Sequence, residues 1–376
     1  MRDERTARIA LACLVEPGTP GLAERVAERG ADAVLRELAA RARGATLPPG
    51  RLWPEEVPDM LAEQERRGIR VLVAGDQEFP SQLGDLAEPP LALWVQGPLD
   101  LRMTTLRSIA VVGARACTPY GERATSQISS GLAETGWAVV SGGAFGIDAA
   151  AHRAALGVAG PTVAVLAGGV DVVYPRAHDA LLCRIADTGA VVSELPPGSQ
   201  PLRHRFLARN RLIAAVSRGT VVVEAARRSG AIATANRALE LGRTVMAVPG
   251  PVTAMASAGT NRLLHEQAAR AVSDSEEVVA LVLEREPAGS ARGSGSGYAR
   301  PGDPAAPMQG SLLEEVPGLP VEMHGVLAVL PRRGGLTLAA VAEAAGVTEA
   351  VSLAGLGLLE VAGLATRSRR GWRRCD

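Results

Sequence analysis

Three short stretches of this chain carry side chains that could do chemistry. The first is Val112-Gly113-Ala114-Arg115, where a glycine lets the backbone turn tightly and an arginine follows two residues later. The second is Ser141-Gly142-Gly143-Ala144-Phe145-Gly146-Ile147-Asp148, with His152 just beyond it. Its glycines would bare amide N–H groups at a helix N-terminus, which is a ready anion site; the plainer alternative is a tight strand-to-helix turn and nothing more. The third runs from Pro201 to Arg211 and holds Arg203, Arg205, Arg209 and Arg211 around Phe206, with no acidic residue. Arginines that grip phosphates around a ring that stacks on a base are what single-strand nucleic-acid binding requires. A solvated helix start with Phe206 in the core is the competing reading, and composition alone leaves both open.

Asp148, His152 and Glu224 also invite an enzymatic reading, because an acid, a base and a glycine cradle could cleave a nucleotide's glycosidic bond. Nucleotide phosphohydrolases of similar build carry a Pro-Gly-Gly-x-Gly-Thr turn followed by glutamate, and no such run occurs here. Asp148 therefore reads as a cap or loop brace, Glu224 as the partner of a nearby arginine, and His152, on an alanine-rich helix, as structural. The chain contains no lysine, so the Gly-Lys-Ser/Thr phosphate loop and the ATPase chemistry built on it are excluded. Every positive side chain is an arginine, whose planar guanidinium holds two phosphate oxygens or stacks on a base.

Short β-rich runs at 108–112, 138–141, 162–166, 190–193, 220–224 and 244–248, each followed by a helical stretch, must position these groups. Strands alternating with helices predict an α/β domain with a parallel sheet covered on both faces, whose ligands gather at the carboxyl ends of the strands. Before it, residues 7–14 and 21–42 show helical spacing of Leu, Val and Ala between Pro-rich breaks, which predicts a small helical domain over 1–75. After it, the Gly-, Ser- and Pro-rich segment 286–315 is too poor in apolar side chains to repay ordering and reads as a linker. Three amphipathic stretches at 324–330, 336–345 and 348–364, followed by an arginine-rich tail, suggest a winged helix over 316–376. Gly355, Gly357 and Gly363 weaken the last of those helices.

With 376 residues, 47% of them hydrophobic, the chain is long and apolar enough for two or three domains with real cores. Lys+Arg and Asp+Glu both number 40, so the formal charge is zero and any polyanion site is local. Cys13, Cys117, Cys183 and Cys375 are far apart with no metal-ligand spacing, which reads as free thiols and no metal. Asp3 and Glu4 ahead of a short apolar run argue against a signal peptide, and no apolar stretch approaches the ~20 residues that span a bilayer. A cytoplasmic protein with no membrane contact is the expectation.

The order and spacing of Gly113-Ala114-Arg115, the 141–148 loop with His152, and Phe206 to Ile213 resemble the DNA-processing (DprA/Smf) family. The resemblance runs from about Phe79 to Ser273. It includes Tyr174-Pro175, Ser193-Glu194, Val223-Glu224-Ala225, Ser229-Gly230, Val248-Pro249-Gly250 and Gly259-Thr260-Asn261. The regions before and after it are similar to accessory domains of that family, the first of a SAM or helix-hairpin-helix kind. The resemblance implies a Rossmann-like, doubly wound, mostly parallel domain that forms a homodimer and binds single-stranded DNA in a basic pocket, without a catalytic site or cofactor. It implies a recombination mediator that protects incoming DNA and loads RecA onto it in natural transformation. Carried onto this chain, the DNA-binding set is Gly113, Arg115, Ser141, Gly142, Gly143, Gly146, Arg203, Phe206, Arg209, Asn210, Arg211, Ser229, Gly230 and Arg243. Arg203 and Arg243 stand where the family often has lysine, and Ala231 replaces the second serine of a Ser-Gly-Ser turn, with Thr234 retained. Asp148, His152 and Glu224 brace the pocket. Two readings remain beside this one, a nucleotide hydrolase and a dimeric interaction scaffold.

Overall fold

Strands with no polar face must be covered on both sides, and the short Val-, Ile- and Ala-rich runs are arranged accordingly. The computed structural model describes residues 3–43, 46–47, 50–284, 329–331, 336–345, 352, 356, 359, 365–368 and 371–374. Four helices come first: α1 (Glu4–Leu14), α2 (Leu22–Arg29), α3 (Ala31–Ala42) and α4 (Val57–Arg66). Strands β1 (Ile69–Leu72) and β2 (Leu93–Gln96) and the short α5 (Leu101–Thr105) follow. Strict alternation then sets in: β3 (Ser108–Val112), α6 (Pro119–Glu134), β4 (Ala138–Ser141), α7 (Ile147–Gly157), β5 (Thr162–Leu166), α8 (Asp179–Thr188) and β6 (Ala190–Ser193). It continues through α9 (Arg203–Val216), β7 (Gly219–Val222), α10 (Gly230–Glu240), β8 (Thr244–Ala247), α11 (Ala258–His265), β9 (Arg270–Ala271) and α12 (Ser275–Glu284).

The nine strands lie in the order β1-β2-β6-β5-β4-β3-β7-β8-β9. Strands β3 to β9 are mutually parallel, while β2 runs antiparallel to β6 and β1 antiparallel to β2. The parallel part of the sheet starts at β3, winds outward through β4, β5 and β6, then returns to lay β7 against the other side of β3. That reversal puts the topological switch point between β3 and β7, where open α/β sheets bind their ligands. The fold is the expected Rossmann-like one.

Alternate residues of each strand feed opposite faces. Ile109, Val111, Val221, Val223 and Met246 pack with Ile128, Leu132 and Ile147 on the α6–α7 side. Ala110, Val112, Val222, Val245 and Ala247 pack with Leu212, Ile213, Val216 and Ile232 on the α9–α10 side. A third cluster joins Ile9, Leu11, Val34 and Leu35 of the N-terminal helices to Trp94, Ala164, Leu166 and Val191. The helical region is therefore present, but no break in packing separates it at residues 75 and 76: β1 is an edge of the main sheet, and Met1–Arg292 form one compact unit.

In the second unit, Gly293–Asp376, helix α13 (Leu338–Ala345) and a hairpin of β10 (Ala365–Ser368) and β11 (Gly371–Arg374) share a small core of Leu330, Val341, Leu356, Leu359, Ala365 and Trp372. The expected linker, most of 324–330 and 348–364, and the side chains of the arginine tail lie outside the described residues.

Because Trp94 is fully buried where the helices meet the sheet, Trp94→Ala is expected to destabilise Met1–Arg292 by about 3–5 kcal/mol. The fall would be read from the urea midpoint, with far-UV circular dichroism and fluorescence reporting a single transition for helices and sheet together.

Candidate nucleic-acid interface

The carboxyl ends of β3, β4 and β7 are stitched into one rim by backbone hydrogen bonds. Ala114 N donates to Glu224 O at 2.7 Å, and Ile147 N donates to Ala114 O at 3.2 Å. Glycine is required at this seam: a Cβ on Gly113 would lie 2.5 Å from Ile147 Cγ1, and one on Gly146, whose φ is +75°, would lie 2.2 Å from Ala114 O.

On this rim the structure brings together the arginine of the first turn and the aromatic of the third stretch. The Arg115 guanidinium sits 5.2 Å from the centroid of the Phe206 ring, and the Tyr174 ring abuts Phe206 at 5.5 Å with a 60° tilt. Phe145 lies edge-on to His178 at 4.7 Å, and the His178 Nδ1–H donates to Gly143 O. Arg115, Phe145 and Tyr174 are exposed and Phe206 is half-buried. The reading of Phe206 as a core side chain is thereby set aside: it is a ring at the surface with a cation over it, worth about 0.5–1 kcal/mol at an exposed site.

The basic stretch itself divides. Arg203 faces solvent, whereas Arg205, Arg209, Asn210 and Arg211 turn inward. Arg205 bonds both oxygens of Glu16 and Gln200 O. Arg209 lies against Gly142, where a Cβ would come within 2.2 Å of its Nη1, and donates to Val165 O. Burial lowers its pKa to about 10, against the favourable charge of Asp148. Asn210 Nδ2 donates to Gly230 O at 3.2 Å, and Arg211 Nη2 donates to both oxygens of Glu194, at 2.6 and 2.7 Å. The absence of acids within the stretch is misleading, because its counter-charges come from elsewhere in the chain. Arg209, Asn210 and Arg211 are bonded within the protein and support the helix that carries Phe206.

The glycine loop is also bonded internally. Asp148 accepts from Gly142 N at 3.2 Å and Ala144 N at 3.4 Å, so the amides that would hold an external anion already face an internal one. Burial pushes the Asp148 carboxyl above the usual range, with Arg209 and those amides pulling the other way. Ser141 is buried and donates to Val111 O at 2.6 Å. Gly142 and Gly143 are buried with it. Glu224 takes Thr118 N at 2.8 Å and the Thr118 hydroxyl at 2.6 Å, fixing the start of α6 rather than an arginine. His152 is fully buried; the Thr162 hydroxyl donates to Val139 O, which leaves the His152 Nδ1–H as donor to that hydroxyl at 2.8 Å. Both carboxylates are thus committed to the protein's own donors.

Ser229 caps α10 through Ile232 N, beside an exposed Gly230. Arg243 stands apart from the cluster. It precedes β8 at the amino-end rim, opposite Arg115, and bonds Asp85 at 2.6 Å. Sequence reasoning left five rim residues unassigned: Phe145, Tyr174, Arg176, Arg227 and Arg228, all exposed, the arginines without an ion pair among the described residues. The available signals were the scarcity of aromatics, 3% of the chain, and an Arg-Arg pair directly before a helix cap.

A family model described as DNA recombination-mediator protein A matches residues 70–283. The chain belongs to this family. It is 46% identical over 330 residues to a DprA-type DNA processing protein of Mycobacterium tuberculosis, covering 85% of this chain and 80% of the relative. It is 42% identical over 205 residues to DNA processing protein DprA of Streptococcus pneumoniae, covering 54% and 71%. The structure of the Streptococcus pneumoniae protein is similar with a TM-score of 0.61 and 31% identity, over 74% of this chain and 98% of that one. DNA processing protein A of Helicobacter pylori, whose structure concerns its single-stranded DNA binding mode, is similar with a TM-score of 0.52 and 28% identity, over 57% and 96%. All the rim residues named above lie inside the matched segment, whereas α1 to α4 lie before it.

His152 yields a pH test of the interior beneath the rim. Burial holds its pKa at about 3, with the charge of Arg209 adding to the effect. The unfolded chain takes up the proton near pH 6.5 and the native state does not, so stability falls as pH drops through that window, by about 1.4 kcal/mol per pH unit. Urea midpoints at pH 7 and pH 5 should fall more steeply for wild type than for His152→Gln.

Proposed function

We propose that this protein binds single-stranded DNA across the carboxyl rim of its sheet and delivers it to the RecA recombinase during DNA uptake and recombination. The observation that carries the reading is the Arg115–Phe206–Tyr174 cluster on the carboxyl rim, with Arg115 following β3, which borders the switch point. A base stacks on an aromatic for roughly 1–3 kcal/mol whatever its identity, and phosphate contacts carry no base information, so sequence preference is weak. Arg115, Arg203, Arg176, Arg227 and Arg228 supply the positive charge along the rim, while Phe206 and Tyr174 supply rings. Ser229 and Gly230 present the start of α10 beside it. The single-stranded DNA named for the Helicobacter pylori relative supports this assignment.

A homodimer with two such rims would let one strand bridge both and gain from effective concentration. The C-terminal unit, with a helix and a two-stranded hairpin around Trp372, fits a winged helix, and no described helix is long and apolar enough to cross a membrane. A cytoplasmic mediator without cofactor or turnover accounts for these features together.

The test is fluorescence anisotropy with a labelled single-stranded oligonucleotide at several salt concentrations, with duplex as competitor. Phe206→Ala is expected to cost about 1–3 kcal/mol of affinity for every base composition. Arg115→Ala should weaken binding and flatten the dependence of log affinity on log salt by about 0.7 for each phosphate that is no longer neutralised. Equal competition by duplex, or wild-type binding by Arg115→Ala, would remove the rim as the DNA site.

A further inference from the structure

Helix α9 starts in an electrostatically unfavourable way. Its N-cap position, Leu202, offers no side-chain hydrogen bond, and its first turn has no acidic residue. Instead that turn carries Arg203, His204 and Arg205 at the end of the helix where the dipole is positive. A helix begun like this needs an anion from outside its own sequence.

Glu16, in the segment between α1 and α2, supplies it. One carboxylate oxygen accepts from Arg205 Nη2 at 2.6 Å and forms an ion pair with Arg51, 2.9 Å from its Nη2; the other accepts from Arg205 Nε at 3.1 Å and lies 3.3 Å from His204 Nε2. The side chains of Arg51 and Arg205 are each 1% exposed, so neither has water as a substitute partner. Their remaining bonds run to backbone, Arg51 Nη1 to Ala12 O and Arg205 Nη1 to Gln200 O. A second contact closes beside this one: Ser199 Oγ donates to Gly50 O, and a Cβ on Gly50 would lie 2.3 Å from Ser199 Cα. Burial alone would raise the Glu16 pKa, but the two guanidiniums overcome it and bring it to about 2.

We propose that Glu16 is a positioning residue for the nucleic-acid site: by holding Arg205 it fixes the first turn of α9, and so the ring of Phe206. Glu16 lies before the segment matched by the family model, and this role rests on the single-strand reading of the rim. The N-terminal helices are then part of the binding machinery rather than an appendage.

The test uses the full chain with Glu16→Gln, which keeps the shape and removes the charge, and with Arg205→Met, which leaves Glu16 paired to Arg51 should the first variant fold poorly. Amide hydrogen exchange across residues 203–210 is expected to quicken about tenfold, with α7 and α10 unchanged. Affinity for a 20-nucleotide thymidine strand should fall about tenfold, the size of one base–aromatic stack, with the salt slope unaltered. In a Phe206→Ala background the Glu16→Gln effect should shrink to less than twofold, because no ring is left to position. A fall of equal size in both backgrounds, or unchanged exchange beside intact wild-type binding, would overturn the role of Glu16 alone. Failure of the wild type to bind the strand would overturn the single-strand reading and the role built on it.

Discussion

A buried guanidinium must have an anion, since removing one partner of a buried ion pair costs about 3–5 kcal/mol. Helix α9 sends three arginines inward, and that constraint organises the molecule around it. Arg205 meets Glu16 from the N-terminal segment, Arg209 feels Asp148 from α7, and Arg211 meets Glu194 just after β6. The three acids come from three different parts of the chain, so the helix is tied to three neighbours at once. What remains outward on its first two turns is Arg203, His204, Leu207 and part of Phe206. The surface ring is presented by a helix with little freedom to move.

The same logic applies to the glycine loop. Amides of a βα turn attract any anion, and Asp148, six residues after Gly142, is already there. Positive charge on the rim is therefore carried by exposed arginine side chains and not by the loop. In a chain of zero formal charge such a patch is local, and what distinguishes it is the rings set among the arginines. Arg115 over Phe206 keeps a cation and a stacking face within one residue's reach of each other.

Much of the frame was legible. Six of the nine strands are written as short β-branched runs, and the alternation with helices dictates a covered parallel sheet. The antiparallel edge formed by β1 and β2 and the two-residue β9 were not, because pairing with a neighbour and not local pattern makes them strands. Arg115 and Phe206 were legible as a tight-turn arginine and a rare aromatic in a basic stretch. Tyr174 was not, since it gains meaning from its contact with Phe206, distant in sequence.

By itself, the sequence determined the element types of the parallel sheet from β3 to β8, the position of the turns at the strand mouths and the residue types available there, because these follow from local steric and hydrophobic patterning. Only the tertiary structure decided which arginines face water. Arg203 and Arg205 differ by two positions in one helix, yet one is a surface cation and the other is buried against Glu16, 189 residues away. Charge pairing in a low-dielectric interior acts across space and not along the chain, so a stretch with no acid of its own still folds with its charges matched.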